Sequence, residues 1–460
     1  MKMTKRFGAL LLIAVMLVSV LAGCGGKQEP APTQAEPVQT QAPATEAPAE
    51  TEAAKEPVEL TLWVTSRNAD EFTAEREAAF EAEHPWIKLN PIVKEGDPGN
   101  EFYQAVAAGT APDCILGSFT MMDKYISSGI VIPLNEYLDS WDETENLDKS
   151  YLEMFSRDGK YYGVPNQVMP MLFGYNKALF EAAGVAAPTT WDEALEAAKK
   201  LNSADGQVAG YATLAAEWTE WFFQYYVWQA GGDLTKENAD GTIELTFTDP
   251  AVIEAAKYYQ KLSAEGVLPS DRTLKFGDLL DNFARGKIAM MPFAVDWVID
   301  VANKGMDLDD LGLILPPAGP SGKSATAIAG DCWVINANTS KEKQDAAWEY
   351  ISFMLSKNEK TLFYENLASK GAIAPVTIPR TDMVITDFAE LPEEWAPVLS
   401  AVGEVGRLEF YGKADFGSYV DRAVQKILSD PNADPEKEFS AAQTLAEQEA
   451  LAAFNEANKK

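Results

Sequence analysis

Histidine is almost missing from this chain. His84 is the only one in 460 residues, so a Ser-His-Asp triad or a histidine-rich zinc site has next to no material. Its position before Pro85 fits a helix end. Cysteine is nearly as scarce: of three, Cys24 stands near the N-terminus, while Cys114 and Cys332 lie in apolar runs that suit buried thiols, with a disulfide between them left open. Basic charge is also short, with 38 lysines and arginines against 70 acidic residues and a net charge of -32. That balance excludes nucleic acid or an anionic membrane surface as the main partner, since both require a basic face. A stretch around Gly241, KENADGTIELTF, has some look of a calcium loop, but Lys236 stands at its first ligand position and Phe247 at its twelfth, which defeats it. No cofactor or metal is expected.

What is present begins with a leader. Lys2, Lys5 and Arg6 precede an apolar run from Phe7 to Val20 that is too short for a stable membrane span. Leu21-Ala22-Gly23-Cys24 then resembles a bacterial lipobox, which implies cleavage after residue 23 and lipid on Cys24. Anchoring by acyl chains is stable because each buried methylene contributes about 0.8 kcal/mol. From Gly25 to Pro57 the chain is Pro, Ala, Thr, Gln and Glu, too poor in large apolar side chains to offset its ordering entropy, so residues 24–57 read as a lipidated cysteine and a disordered tether.

A globular body follows, with enough apolar residues (47%) and aromatics (10%) for a large core. VELTLWV alternates as a strand, Glu71 to Glu83 reads as a helix stopped by Pro85, and Trp86 to Val93 reads as a second strand: the opening of a parallel α/β sheet. Asp158 to Lys177, DGKYYGVPNQVMPMLFGYNK, is the pivotal stretch. It runs from an Asp-Gly turn into an apolar strand carrying Pro165 and Pro170, each of which removes a backbone donor. A central place in a regular ladder is therefore not expected, and the stretch reads as a crossing between two bodies. Apolar runs with prolines or glycine predict further crossings at Leu311 to Pro317 and at Gly371 to Pro375. The resulting architecture is α/β and two-lobed, with 58–170 and 317–372 as one lobe and 171–316 and 373–460 as the other, able to close about a hinge.

Several segments carry a resemblance: AVAAGTAPDCILGSFTMMDKYISSGIVIPLNEYL, GKYYGVPNQVMPMLFGYNKALFEAAGVAAPTTWDEALEAAKKL, FTDPAVIEAAKYYQKLSAEGVLPSD, FARGKIAMMPFAVDWVID, and GDCWVIN with the helix after it. In this order, behind a lipobox, they resemble the extracellular solute-binding proteins of bacterial ABC importers, in the carbohydrate branch. The resemblance implies a periplasmic-binding-protein clamshell with three hinge crossings. It also implies a sugar ligand, importer membrane subunits as partners, a monomer, and a place on the outer face of the cytoplasmic membrane.

The same resemblance assigns contacts residue by residue. Arg67 and Asn68 match the loop after the first strand. Ser118, Phe119 and Thr120 match the loop after the Pro112-Asp113 strand, where many relatives have Asp or Trp; Asp113 itself reads as a backbone cap. Gln167 and Met169 fall towards the ligand in the crossing segment, with Tyr175 either touching the ligand or packing the hinge. Of two tryptophans on one helix face, Trp218 and Trp221, the second falls where relatives offer a stacking aromatic. Asp296-Trp297 matches a place where relatives present a tryptophan to the sugar, which makes Trp297 the expected stacking platform. Asp331 and Trp333 of GDCW lie near a third contact loop, and Phe410 and Tyr411 complete the set. The chemistry suits a pyranose, whose apolar face stacks on aromatics while its hydroxyls bond to polar groups.

The rival class is a secreted glycoside hydrolase, which needs only two suitably spaced carboxylates; a tethered clamshell that binds and releases stands against it. Within the binding class, Arg67 beside Asn68 also suits a sugar acid or sugar phosphate.

Overall fold

The computed structural model describes residues 55–65, 70–95, 98–371 and 376–459. The leader, Cys24, the tether up to residue 54, and Arg67 and Asn68 lie outside the described residues.

The first lobe is built on strands buried on both faces. β1 (Val58–Thr65) directs Leu60, Leu62 and Val64 into one core and Trp63 into another on the opposite face, the burial that a parallel sheet covered on both sides requires. α1 (Glu71–Glu83) starts at Asp70, whose carboxylate accepts the Thr73 amide at 2.9 Å. β2 (Ile87–Lys94) pairs with β1 in parallel along its whole length. α2 (Gly99–Ala108) stops at Gly109, which takes the left-handed conformation (φ 73°) that a side chain would strain. β3 (Cys114–Ser118) joins the other edge of β1, and α3 (Met122–Ser127) follows.

β4 (Val164–Asn176) is the continuous strand that passes from one lobe to the next. Val164 and Val168 pack in the cores of the first lobe, whereas Met169 and Met171 to Phe173 belong to the large core of the second. The second lobe supplies α4 (Thr219–Gln229), α5 (Phe276–Ala284), β5 (Met290–Ala294), α6 (Trp297–Asn303) and β6 (Leu311–Ile314). β7 (Thr326–Ile335) then returns to the first lobe, antiparallel to both β3 and β4, and leads into α7 (Lys341–Leu355) and α8 (Lys357–Ser369). β8 (Gly406–Arg407), α9 (Lys413–Ser429), α10 (Pro435–Ala446) and α11 (Ala452–Asn458) complete the chain. The strand order is β6-β4-β7-β3-β1-β2, with β5 also on β4 and β8 on β7.

Three details differ from the sequence-based expectations. The proline-bearing strand β4 is marginal only in its first half, which holds both prolines, and is interior to the sheet beyond it. Its prolines are tolerated because β4 changes partners at Pro170: up to that residue its ladder is with β7 alone, apart from a single bridge from Val168 to Thr377, while from Met171 it pairs with β5 and from Phe173 also with β6. The run at Leu311 is an edge strand beside β4, and the second crossing is β7 itself. The third passage is drawn out. Residues 372–375 lie outside the described residues, but Pro379 accepts the Asp148 amide and Thr381 donates to Asn146 in the first lobe, while Val376 and Ile378 pack in the second lobe's core. This segment runs along the boundary before Trp395 donates to the Leu311 carbonyl.

Cys114 and Cys332 do not face each other. Cys332 pairs with Gly117 in the β3–β7 register, and the two thiols enter cores on opposite faces of the sheet.

Candidate ligand-binding cleft

A cavity of about 840 Å³ opens between the lobes. Its first-lobe wall is Tyr103, the turn Ser118-Phe119-Thr120, Asp123 and Lys124; its floor is Ile328 to Gly330 of β7; its second-lobe wall is Trp218, Glu220 and Trp221 of α4, with Tyr411, Lys413 and Phe454. The turn forms because β3 ends at Ser118, whose hydroxyl accepts the Thr120 amide at 3.3 Å and starts a short helical turn. Phe119 is held by the edge of Phe155, with ring centroids 4.7 Å apart.

Trp218 is unusual in its backbone. It sits at φ 49° and ψ 34°, a left-handed conformation costly for a bulky residue, and leaves its side chain 55% exposed at the cleft. Its neighbour Thr219 holds it there, bonding to Asp421 of α9 through both its amide (2.9 Å) and its hydroxyl (2.7 Å). Strain kept by such anchoring is a mark of functional positions.

The charges of the cleft are matched within the protein. Lys413 lies 2.5 Å from Glu409 and 3.9 Å from Glu220. Lys124 of the first lobe reaches Asp415 of the second at 3.6 Å, and Arg157 joins Asp123 (3.3 Å) while covering the ring of Tyr411 at 5.3 Å. Lys124–Asp415 and Arg157–Tyr411 cross between lobes. Burial lifts the Glu220 carboxyl to about 7; Lys413 opposes the shift and Asp421 adds to it.

Of the residues singled out from sequence, the structure brings Ser118, Phe119, Thr120, Trp218, Trp221, Phe410 and Tyr411 to this one cavity. It places the others elsewhere. Trp297 is 6% exposed, enclosed by Phe276 (4.6 Å) and Phe293 (5.6 Å), and it touches Trp221 edge-on at 6.3 Å. It is therefore a buttress behind the cleft wall, and the half-buried ring in front of it, facing the cavity, is that of Trp221. Asp296 is half-buried at the start of α6. Trp333 is buried on the far side of the β-sheet against Tyr350, and Asp331 is buried in β7 opposite Gln167 and Ser118. Gln167 is half-buried, Met169 belongs to the second lobe's core, and Tyr175 packs on Phe180 at 4.8 Å.

Sequence reasoning missed Tyr103, Asp123, Glu220, Lys413 and Phe454. Glu220 was within reach, as the residue before Trp221 in the first turn of an aromatic helix. Phe454 had no local signal, because only the packing of α11 beside Tyr411 and Phe416 brings it to the cleft.

Aromatic faces opposite carboxylates, in a cleft between lobes joined by continuous strands, define a two-lobed solute-binding protein. The chain belongs to the bacterial extracellular solute-binding proteins, whose family model matches residues 65–361. A Brucella abortus (strain 2308) relative named as a binding protein is 31% identical over 315 residues, spanning 67% of this chain and 74% of its own. The sn-glycerol-3-phosphate-binding periplasmic protein UgpB of the same organism is 24% identical over 375 residues, 75% of this chain and 81% of its own. Among solved structures, the ABC substrate-binding protein Lmo0181 of Listeria monocytogenes, in complex with cycloalternan, superposes with a TM-score of 0.70 at 22% identity, covering 85% of this chain and 99% of that one. That likeness is one of fold.

Proposed function

We propose that the chain captures a neutral carbohydrate, an oligosaccharide before a single sugar, in the interlobe cleft and delivers it to the membrane subunits of an ABC importer without chemical change. The observation that carries this reading is the cleft wall itself. Trp218 and Trp221 offer faces for stacking, and Glu220 and Asp123 offer acceptors for hydroxyls. A volume near 840 Å³ lies within the usual range of about 300–1,000 Å³ for ligand pockets. Lipid on Cys24 would hold the monomeric body outside the cytoplasmic membrane on its tether, free to meet the importer.

In this mechanism sugar stacks on the second lobe first, and contacts from the first lobe then favour the closed form by differential affinity. Lys124–Asp415 and Arg157–Tyr411 are contacts that the closing lobes make across the cleft. The sugar-phosphate reading, which UgpB suggests, is less favoured because, among the described residues, both lysines of the cavity are already matched to carboxylates.

A thermal-shift panel tests the proposal. A neutral oligosaccharide is expected to raise the melting temperature and change tryptophan fluorescence, while sn-glycerol 3-phosphate does neither. Stabilisation by the phosphate alone would overturn the reading, and release of reducing sugar from the ligand would move the chain to the enzymes. With the ligand in hand, Trp221→Ala is expected to weaken binding by ~1 kcal/mol, roughly fivefold, through lost stacking; unchanged affinity in a fluorescence titration would remove Trp221 from the site.

A further inference from the structure

A second, much smaller cavity of about 40 Å³ lies inside the first lobe, away from the cleft, among Arg76, Asn166, Trp333, Tyr350, Glu359 and Lys360. Lys360 is only 4% exposed, in the first turn of α8, where the helix dipole already disfavours a cation. Its ammonium donates to two neutral oxygens, the Asn166 carbonyl (2.8 Å) and the Asn166 side chain (2.6 Å). The carboxylate in the cavity wall is spent elsewhere: Glu359 accepts both Nε and Nη2 of Arg76, and the side chain of Asn358 at 2.9 Å. Tyr350 donates to Glu77 at 3.4 Å. Against these engaged oxygens stands an idle donor. The indole N–H of Trp333, a residue 2% exposed, has no partner among the described residues.

The wall thus offers two donors that its own oxygens leave unused, the Trp333 indole N–H and the third hydrogen of the Lys360 ammonium. With Lys360 protonated, its charged side chains are Arg76, Lys360 and Glu359, one positive charge in excess. Water needs two to four partners that include acceptors for its own hydrogens, whereas a halide needs donors only. The space exceeds the roughly 10–15 Å³ that one small occupant requires. We propose that this cavity is a binding site for a small monovalent anion, chloride, held by Lys360 and Trp333 beside the crossing strand. Burial, reinforced by Arg380, draws the Lys360 ammonium down to about 7, with the Asp331 charge opposing. A bound anion keeps it charged and counters that pull. Asn166, the residue skipped where the β4–β7 register shifts, ties the site to the root of the hinge.

Two measurements test this. In crystals of the unaltered protein grown with bromide, an anomalous peak is expected within hydrogen-bonding distance of Lys360 Nζ and Trp333 Nε1; a cavity that is empty or holds only water overturns the proposal. In solution at constant ionic strength, replacing gluconate with chloride is expected to raise the melting temperature saturably, by roughly 2 °C. Lys360→Met is expected to abolish that dependence and Trp333→Phe to shift its midpoint to higher chloride. Equal melting in both salts for the unaltered protein would likewise overturn it.

Discussion

Replacing Gly330 with alanine is expected to destabilise the protein by about 3 kcal/mol and to disable the cleft. Gly330 lies in the part of β7 that forms the cleft floor, paired with Val168 of β4. A β-carbon there would stand 2.6 Å from Cζ of Phe119 and closer still to the carbonyl oxygen of Gln167. The first neighbour is a ring packed against Phe155; the second is backbone of the other crossing strand, so neither yields cheaply. Overpacking of this kind costs about 1–3 kcal/mol, and a φ of 155°, uncommon for residues with a side chain, adds strain of similar size. The melting temperature should fall by roughly 5 °C. A control is available in Gly277, in α5, where an added β-carbon meets nothing within 4 Å; Gly277→Ala should be neutral or slightly stabilising. If Gly330→Ala melts with the wild type, the two crossing strands are not packed as tightly as described.

That close approach of β4 and β7 also bears on what could be read from the sequence. The crossing strand was legible because the Asp158-Gly159 turn, the apolar run and the two prolines are local signals, and a strand that is neither an ordinary edge nor a regular interior has few places to go. What the prolines could not reveal was the change of partners at Pro170. Nor could the apolar run at Leu311 be told apart from a crossing, since an edge strand beside β4 and a strand leaving the lobe have the same composition.

The tryptophans make the same point at the site. Trp297 and Trp221 are both aromatic residues at the start of helices, and a resemblance places both near a ligand. Only three-dimensional packing decides which ring is in front: Phe276 and Phe293 cover Trp297, and the half-buried ring of Trp221 is left facing the cavity. The charged residues of the cleft escaped notice for a different reason. With 70 acidic residues in the chain, the handful that line a cleft have no distinguishing local pattern, and the approach of Asp415 to Lys124 and of Glu220 to Lys413 depends on contacts between segments about two to three hundred residues apart.

Glu220 is where the demands of stability and binding should be seen to diverge. Its carboxyl, 13% exposed, is lifted from the ordinary 4.5 to about 7 by burial, which outweighs the nearby Lys413. The folded protein therefore holds a proton there that the unfolded chain gives up between pH 4.5 and 7, and the stability this group contributes declines as pH rises through that window and is gone above it. Glu220→Gln keeps the shape without the charge. It should be more stable than the wild type by up to about 3 kcal/mol at pH 8 and indistinguishable from it at pH 4.5. Urea midpoints at the two pH values check this, and a difference of the same size at both would show that the carboxyl titrates normally. A carboxylate retained at such a cost points to use in the cleft, where its ionised form accepts hydroxyl hydrogen bonds worth about 1.5–3 kcal/mol. The more stable variant should then be the weaker binder, by tenfold or more at pH 8, while at pH 4.5, with Glu220 protonated in the free folded protein, the affinities should converge. A residue that served only to seat α4 would give no such pH-dependent loss of binding, so fluorescence titration of the two proteins across this range separates ligand contact from support.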